Sequence, residues 1–265
     1  MNKTCETISP IPRKKSLNLV LEAMSWNFFH GKNVAFIGLC GGQASGKTQI
    51  ANYFQKNIPG SAIIAERDFF KIGKTNRKMS SSDEPLVGDV DGYDPERKNL
   101  LIQLSNPEFY DHDKLINCLE KLAKSEEVDI PYYDEAEGTI KERSLNPKNT
   151  ILFIVEGYFI FKNQKLRELF DLKLYTEVDD DVRLSRLILR ENKYLKNNAN
   201  AFKTFFLIYE KYLKTSFESN IEIGKKYANI ILPNYEITDK GEIEKGDDTL
   251  EFLLVNLKNL NKQNS

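Results

Sequence analysis

The sequence predicts an α/β fold of three layers: a five-stranded, mainly parallel sheet with helices on both faces, plus a small hairpin and a helical lid. Three observations predict it. Short apolar runs alternate with helical segments along most of the 265 residues, and strands that alternate with helices make a parallel sheet covered on both sides. The run Ile151-Leu152-Phe153-Ile154-Val155 is apolar throughout, as a central strand buried on both faces must be. Between an earlier apolar run and a helical segment lies Gly41-Gly42-Gln43-Ala44-Ser45-Gly46-Lys47-Thr48, two glycines separated by four residues and followed by Lys and Thr, the phosphate-loop pattern.

The loop makes the fold class that of the P-loop NTPases. A polyphosphate needs several backbone N–H groups converging on it. Glycines let the chain come close, and the helix behind adds its partial positive charge. Lys47 is expected to reach the β and γ phosphates of ATP, and the Thr48 hydroxyl to ligate Mg²⁺.

Composition bounds the rest. With 38 basic and 39 acidic residues the net charge is −1, which argues against nucleic-acid or membrane-surface binding through bulk charge. No run of eighteen apolar residues occurs, and the N-terminus shows no signal-peptide core, so the expectation is a cytoplasmic protein. The three cysteines, Cys5, Cys40 and Cys118, are too widely spaced to suggest a disulfide frame or a zinc site.

In chain order, residues 1–15 read as a tail and 16–29 as an amphipathic helix, with Leu17, Val20, Leu21, Met24 and Phe28 at helical spacing. Residues 34–40 form the first strand, and the helix after the loop runs to the Pro59-Gly60 stop. Residues 62–65 form a second strand that ends in Glu66-Arg67-Asp68. Acidic residues at the carboxyl end of such a strand sit where α/β sheets place ligands, so Asp68 is a candidate base; its structural alternative is a helix cap. Residues 71–99 are polar and without periodicity, a long insertion. A helix is expected over 111–124, with Leu115, Ile116, Leu119 and Leu122 on one face, followed by an extended segment over 128–134 that starts a hairpin. The apolar run at 151–155 leads to Glu156, whose carboxylate at a central strand tip suits the metal; its alternative is to cap the next turn. A fourth strand over 172–178 precedes Asp179-Asp180-Asp181 and a helix on which Arg183, Arg186 and Arg190 fall within about 60° of one another, at 100° per residue. They are read as a clamp on a transferring phosphoryl group, or as a solvated face. A further helix over 201–216 carries Phe202, Phe205, Phe206, Tyr209 and Leu213, a fifth strand covers 228–233, and a closing helix 249–260.

In this order the motifs resemble the uridine–cytidine kinase family, with nicotinamide riboside kinases and phosphoribulokinases as relatives. The likeness runs from about residue 34 to 233. It rests on GGQASGKT, IPYYD at 130–134, IVEG at 154–157, LRELFDLKLY at 166–175, DDDVRLSRLILRE at 179–191 and KKYANIILP at 225–233. The resemblance implies Mg²⁺-dependent transfer of the ATP γ-phosphoryl group to the 5′-hydroxyl of a nucleoside, uridine or cytidine first. The alternatives are another riboside or a sugar phosphate, or a nucleotide-binding module without activity. It also implies that the helix with Arg183, Arg186 and Arg190 is the lid. An ungapped alignment puts Arg67 where the family has its base and Asp68 one residue later, with Glu66 as the other substitute. The ribose-holding aspartate follows an aromatic residue, and two pairs compete, Tyr93-Asp94 and Tyr110-Asp111. Tyr133 matches the base-contacting tyrosine, whereas the histidine five residues later is Gly138 here. The expected organisation is a tail and helix over 1–33, a kinase domain over 34–235 and a C-terminal helix over 236–265. Inside the domain, 71–110 is an insertion loop, 125–145 a substrate hairpin and 180–200 the lid. The implied partner is a small-molecule nucleoside, with no nucleic acid, no membrane, and a possible homo-oligomer.

Overall fold

A computed structural model of the chain describes residues 33–71, 93–134, 139–233 and 248–262. The tail and helix expected over 1–33, most of the insertion, Gly138 and the segment before the closing helix lie outside the described residues. Strand β1 (Ala35–Gly41) leads into the phosphate loop and helix α1 (Lys47–Asn57), then β2 (Ser61–Ala65) and a 3-10 turn over Glu66–Phe69. Helices α2 (Pro95–Leu104) and α3 (His112–Ala123) precede a hairpin of β3 (Val128–Asp134) and β4 (Thr139–Leu145). Next come β5 (Leu152–Gly157), α4 (Gln164–Leu169) and β6 (Leu172–Glu177). Helices α5 (Asp180–Leu195) and α6 (Ala199–Ile208), wide turns to Ile221, β7 (Ile230–Pro233) and α7 (Asp248–Lys262) close the chain.

The main sheet has the order β2-β5-β1-β6-β7, and each of its pairings is parallel. β1 and β5 are buried at every residue, because both faces of the sheet are covered. Along β1 the side chains alternate. Ala35, Ile37 and Leu39 pack with Ile50 and Phe54 of α1 and Leu253 of α7 on one face. Phe36 and Cys40 pack with Leu115 and Leu119 of α3 and Leu166 of α4 on the other. The chain reverses its direction across the sheet at β1, which lies between β5 and β6, and ligands of open α/β sheets bind at the strand ends of such a switch point.

Two expectations need correction. The stretch 71–110 is not a loop throughout, because 95–104 is helical. Asp94 caps α2 by accepting from the Glu96 and Arg97 amides at 2.9 and 3.0 Å, and Pro95 occupies the first turn, where its missing N–H costs nothing. The helix expected over 201–216 is regular only to Ile208 and continues in wider π turns. Phe205 is buried and Phe206 42% exposed, as neighbours about 100° apart on one helix can be, so the aromatic stripe is split between core and surface.

Candidate active site

The phosphate loop is built by close approach. A Cβ on Gly41 would lie 2.0 Å from Thr176 Oγ1, and one on Gly42 would lie 2.5 Å from Arg183 Nη1. Gly46 takes φ 85° at the start of α1, a left-handed conformation that glycine adopts readily. Gln43 is buried within the loop, and Ala44 shares the left-handed region at φ 58°. Ser45 and Thr176 hydroxyls hydrogen-bond at 2.6 Å and Thr176 donates to the Cys40 carbonyl at 3.3 Å, so the end of β6 is stitched to the loop. Lys47 is buried, donates to the Gly41 and Gly42 carbonyls at 2.9 and 2.8 Å, and lies over the Tyr158 ring at 4.1 Å. Burial pushes the Cys40 thiol up to about 12, which makes it a packed residue rather than a nucleophile.

Beside the loop, Thr48 Oγ1 donates to Glu156 Oε1 at 3.1 Å, and Glu156 is 6% exposed. A hydroxyl and a carboxylate in contact supply the hard oxygen donors that Mg²⁺ takes from protein, one or two at a time alongside substrate phosphates. Among the described residues no group of three or more His, Cys, Asp or Glu side chains could hold a metal ion.

The 3-10 turn after β2 sorts the two candidate bases, Glu66 and Asp68, and the Arg67 between them. Arg67 is exposed. Glu66 is buried; it accepts from the Tyr158 amide at 2.6 Å and the Phe159 amide at 3.1 Å, and meets His112 Nε2 at 2.7 Å. Both of its oxygens are therefore engaged in holding the turn after β5. Asp68 turns inward, its side chain 9% exposed, with Arg143 Nη2 at 3.9 Å from Oδ2. Burial raises its carboxyl above the ordinary aspartate range, the Arg143 and Arg67 guanidinium groups pull it down, and Glu156 pushes it up. The tight turn thus brings Asp68, one residue beyond the position that the ungapped alignment gives to Arg67, within electrostatic reach of Glu156.

The two candidate ribose aspartates are separated by the fold. Asp111 caps α3 through the Lys114 amide at 3.0 Å, and its own amide donates to the Phe69 carbonyl at 2.8 Å, next to Asp68. Asp94 caps α2 on the lid side. Tyr133 stands in β3 opposite Ile140, in a hairpin strand that packs against the Glu66–Phe69 turn.

On the lid, Arg183 is buried, ion-pairs with Asp180 and stacks over Phe217 at 3.7 Å. Arg186 Nη1 reaches the Ala44 carbonyl at 3.4 Å. Arg190 stands apart from the other two: its side chain is 46% exposed, with Nε 3.7 Å from Glu191. Angle alone placed it with the others. Seven residues beyond Arg183 at 1.5 Å each, it stands about 10 Å further along the axis. A cavity of ≈ 170 Å³ borders Gly42, Thr176 and Arg183. Sequence reasoning missed Thr176, Tyr158, Arg143 and Phe217. Thr176 alone carried a signal, as a polar residue at the end of an apolar strand.

These features define a P-loop kinase, with a phosphate loop at a parallel-sheet switch point, an acid at two adjacent strand ends and a helix with two arginines beside the loop. The model of the Phosphoribulokinase / Uridine kinase family matches residues 36–240, and the chain belongs to that family. A uridine kinase of Streptococcus mutans is 29% identical over 204 residues, spanning 76% of this chain and 88% of that protein. A uridine kinase of Staphylococcus aureus is 31% identical over the same lengths. Among solved structures, a candidate fructose transport system kinase from Silicibacter sp. TM1040 superposes with TM-score 0.52 at 16% identity, covering 82% of this chain and 98% of that one; it supports the fold alone. The chain is accordingly a nucleotide-binding phosphotransferase with a hydroxyl acceptor, of the nucleoside or sugar kinase class. Among the described residues no helix is long and apolar enough to cross a membrane.

Proposed function

We propose that the protein transfers the γ-phosphoryl group of ATP to the 5′-hydroxyl of a pyrimidine nucleoside, uridine or cytidine. The observation that carries this reading is the inward placement of Asp68, which feels the charge of Glu156 and whose neighbour Phe69 accepts from the Asp111 amide. The names of the two bacterial relatives favour a uridine acceptor.

In this reading Lys47 and the loop amides hold the β and γ phosphates. Thr48 and Glu156 hold Mg²⁺, which when bound neutralises charge on the phosphate oxygens. Asp111 holds the ribose hydroxyls and Tyr133 contacts the base. Asp68 accepts the 5′-hydroxyl proton as the oxygen bonds to phosphorus; the bond from phosphorus to the bridging oxygen breaks, and ADP leaves with that electron pair. Arg183 and Arg186 stand where charge develops on the transferring group, so positioning and electrostatics supply most of the acceleration. The Asp68→Asn variant tests the assignment. Turnover of uridine is expected to fall by roughly 10²–10⁴-fold while ATP affinity, read by calorimetry, is kept. Unchanged turnover overturns the role of Asp68.

A further inference from the structure

The inward face of α5 repeats every four residues: Arg183, Leu187, Glu191 and Leu195 are its buried positions. Two apolar residues on such a face are ordinary, but a carboxylate with 0% exposure is not, since an isolated buried charge is costly. Glu191 is held by the Arg97 fork, through Nε at 2.7 Å and a second contact from Nη2, and by the Tyr93 hydroxyl at 3.3 Å. The same guanidinium lies over the Tyr194 ring at 4.8 Å. Arg97 and Tyr93 belong to α2 and its entry, outside the parallel sheet. Around them Tyr93, Leu101, Leu187, Leu195 and Phe205 form a separate core, against which Ala44 of the phosphate loop also packs.

The energetics decide what the pair is for. A buried ion pair adds little net stability, because desolvation offsets its attraction, yet removing one partner is strongly destabilising locally. Its effect is therefore to fix geometry. Glu191 stands two helical turns from Arg183, about 12 Å along the axis, on one uninterrupted helix. Whatever holds Glu191 sets the tilt and rotation of the residues that meet the loop.

We infer that Glu191 and Arg97 are positioning residues: they pin α5 to α2 and thereby set Arg183 and Arg186 over the phosphate loop. The inference rests on the phosphoryl-transfer reading for its kinetic consequence but not for its structural one. With Glu191→Gln, kcat is expected to fall about 10–100-fold, less than the roughly 10²–10³-fold of removing one donor outright because the arginines are displaced rather than lost, with the acceptor KM within about twofold. Arg97→Lys, which keeps the charge and loses the fork, is expected to fall between that variant and the native protein, and serves if Glu191→Gln does not fold.

The deciding measurement is a cycle. In an Arg183→Ala/Arg186→Ala background the same Glu191→Gln change is expected to cost almost nothing further, because its effect runs through those arginines. An equal loss in both backgrounds overturns the inference. Amide exchange across residues 180–195 with ATP bound, which needs no acceptor, is expected to quicken in Glu191→Gln. Unchanged exchange overturns the inference even if no acceptor is phosphorylated, and the absence of turnover in the native protein counts against the nucleoside reading alone.

Discussion

In the proposed mechanism Asp68 is a base under opposing influences. Burial disfavours its charged form, the nearby Glu156 carboxylate adds repulsion, and the Arg143 and Arg67 guanidinium groups offset part of both, leaving the carboxyl above the usual aspartate value. A base works only when deprotonated, so kcat should fall as pH drops through that raised value, an acidic limb lying above the ordinary aspartate pKa of about 3.9. Arg143, on β4 opposite Ile130 and donating to the Ile63 carbonyl at 2.6 Å, is the larger of the two cationic influences. Removing it with Arg143→Ala leaves burial and Glu156 less opposed, and the limb should move to higher pH. A pH–rate profile checks this; a limb that stays in place or moves down contradicts the account. At this scale Lys47, Thr48 and Glu156 were legible in the sequence, because a motif or a strand end places each of them. The choice among Glu66, Arg67 and Asp68 was not, because it depends on the phase of a one-turn 3-10 segment that no periodicity encodes.

At the scale of elements, the junction of β2 and β5 is held by Glu66, which accepts the amides that follow β5. Gly157 leaves the space for it: a Cβ there would lie 2.5 Å from Glu66 Oε2 and 2.6 Å from its Cβ. The carboxylate is fixed by the Tyr158 and Phe159 amides and by His112, so it has nowhere to withdraw. Gly157→Ala should therefore lower stability by about 1–3 kcal/mol, the usual cost of overpacking. Denaturant titration should show the midpoint falling with an unchanged slope, and an unshifted midpoint contradicts the packing described. Helix α2 shows what a periodicity search passes over. Its segment PERKNLLIQL buries only Leu101, so no apolar stripe marks it. Its start is written instead in Asp94-Pro95-Glu96, a capping residue before a first-turn proline. Helix α5 was legible with its basic arc, but which of its arginines lie near the loop was not, since the arc repeats along an axis that soon leaves the loop behind.

In the whole molecule the sheet was the most legible part. β1 and β5, apolar and buried at every residue, fit strands covered on both faces, and five strands separated by helices leave few topologies. Less legible were the contacts made across long sequence separations, such as Thr176 on Ser45 and Arg97 on Glu191, because each joins segments whose local patterns are unrelated. Acceptor choice belongs to this scale too, since the hairpin and α3 both pack against the Glu66–Phe69 turn that carries Asp68. The most direct measurement is phosphate transfer from Mg-ATP across uridine, cytidine, adenosine, nicotinamide riboside and ribulose 5-phosphate, with Lys47→Ala as the blank. The account predicts turnover of uridine or cytidine that the blank lacks. Preference for a different acceptor in the set would contradict the pyrimidine assignment, and no transfer to any of them by a protein that still binds ATP would contradict the kinase mechanism itself.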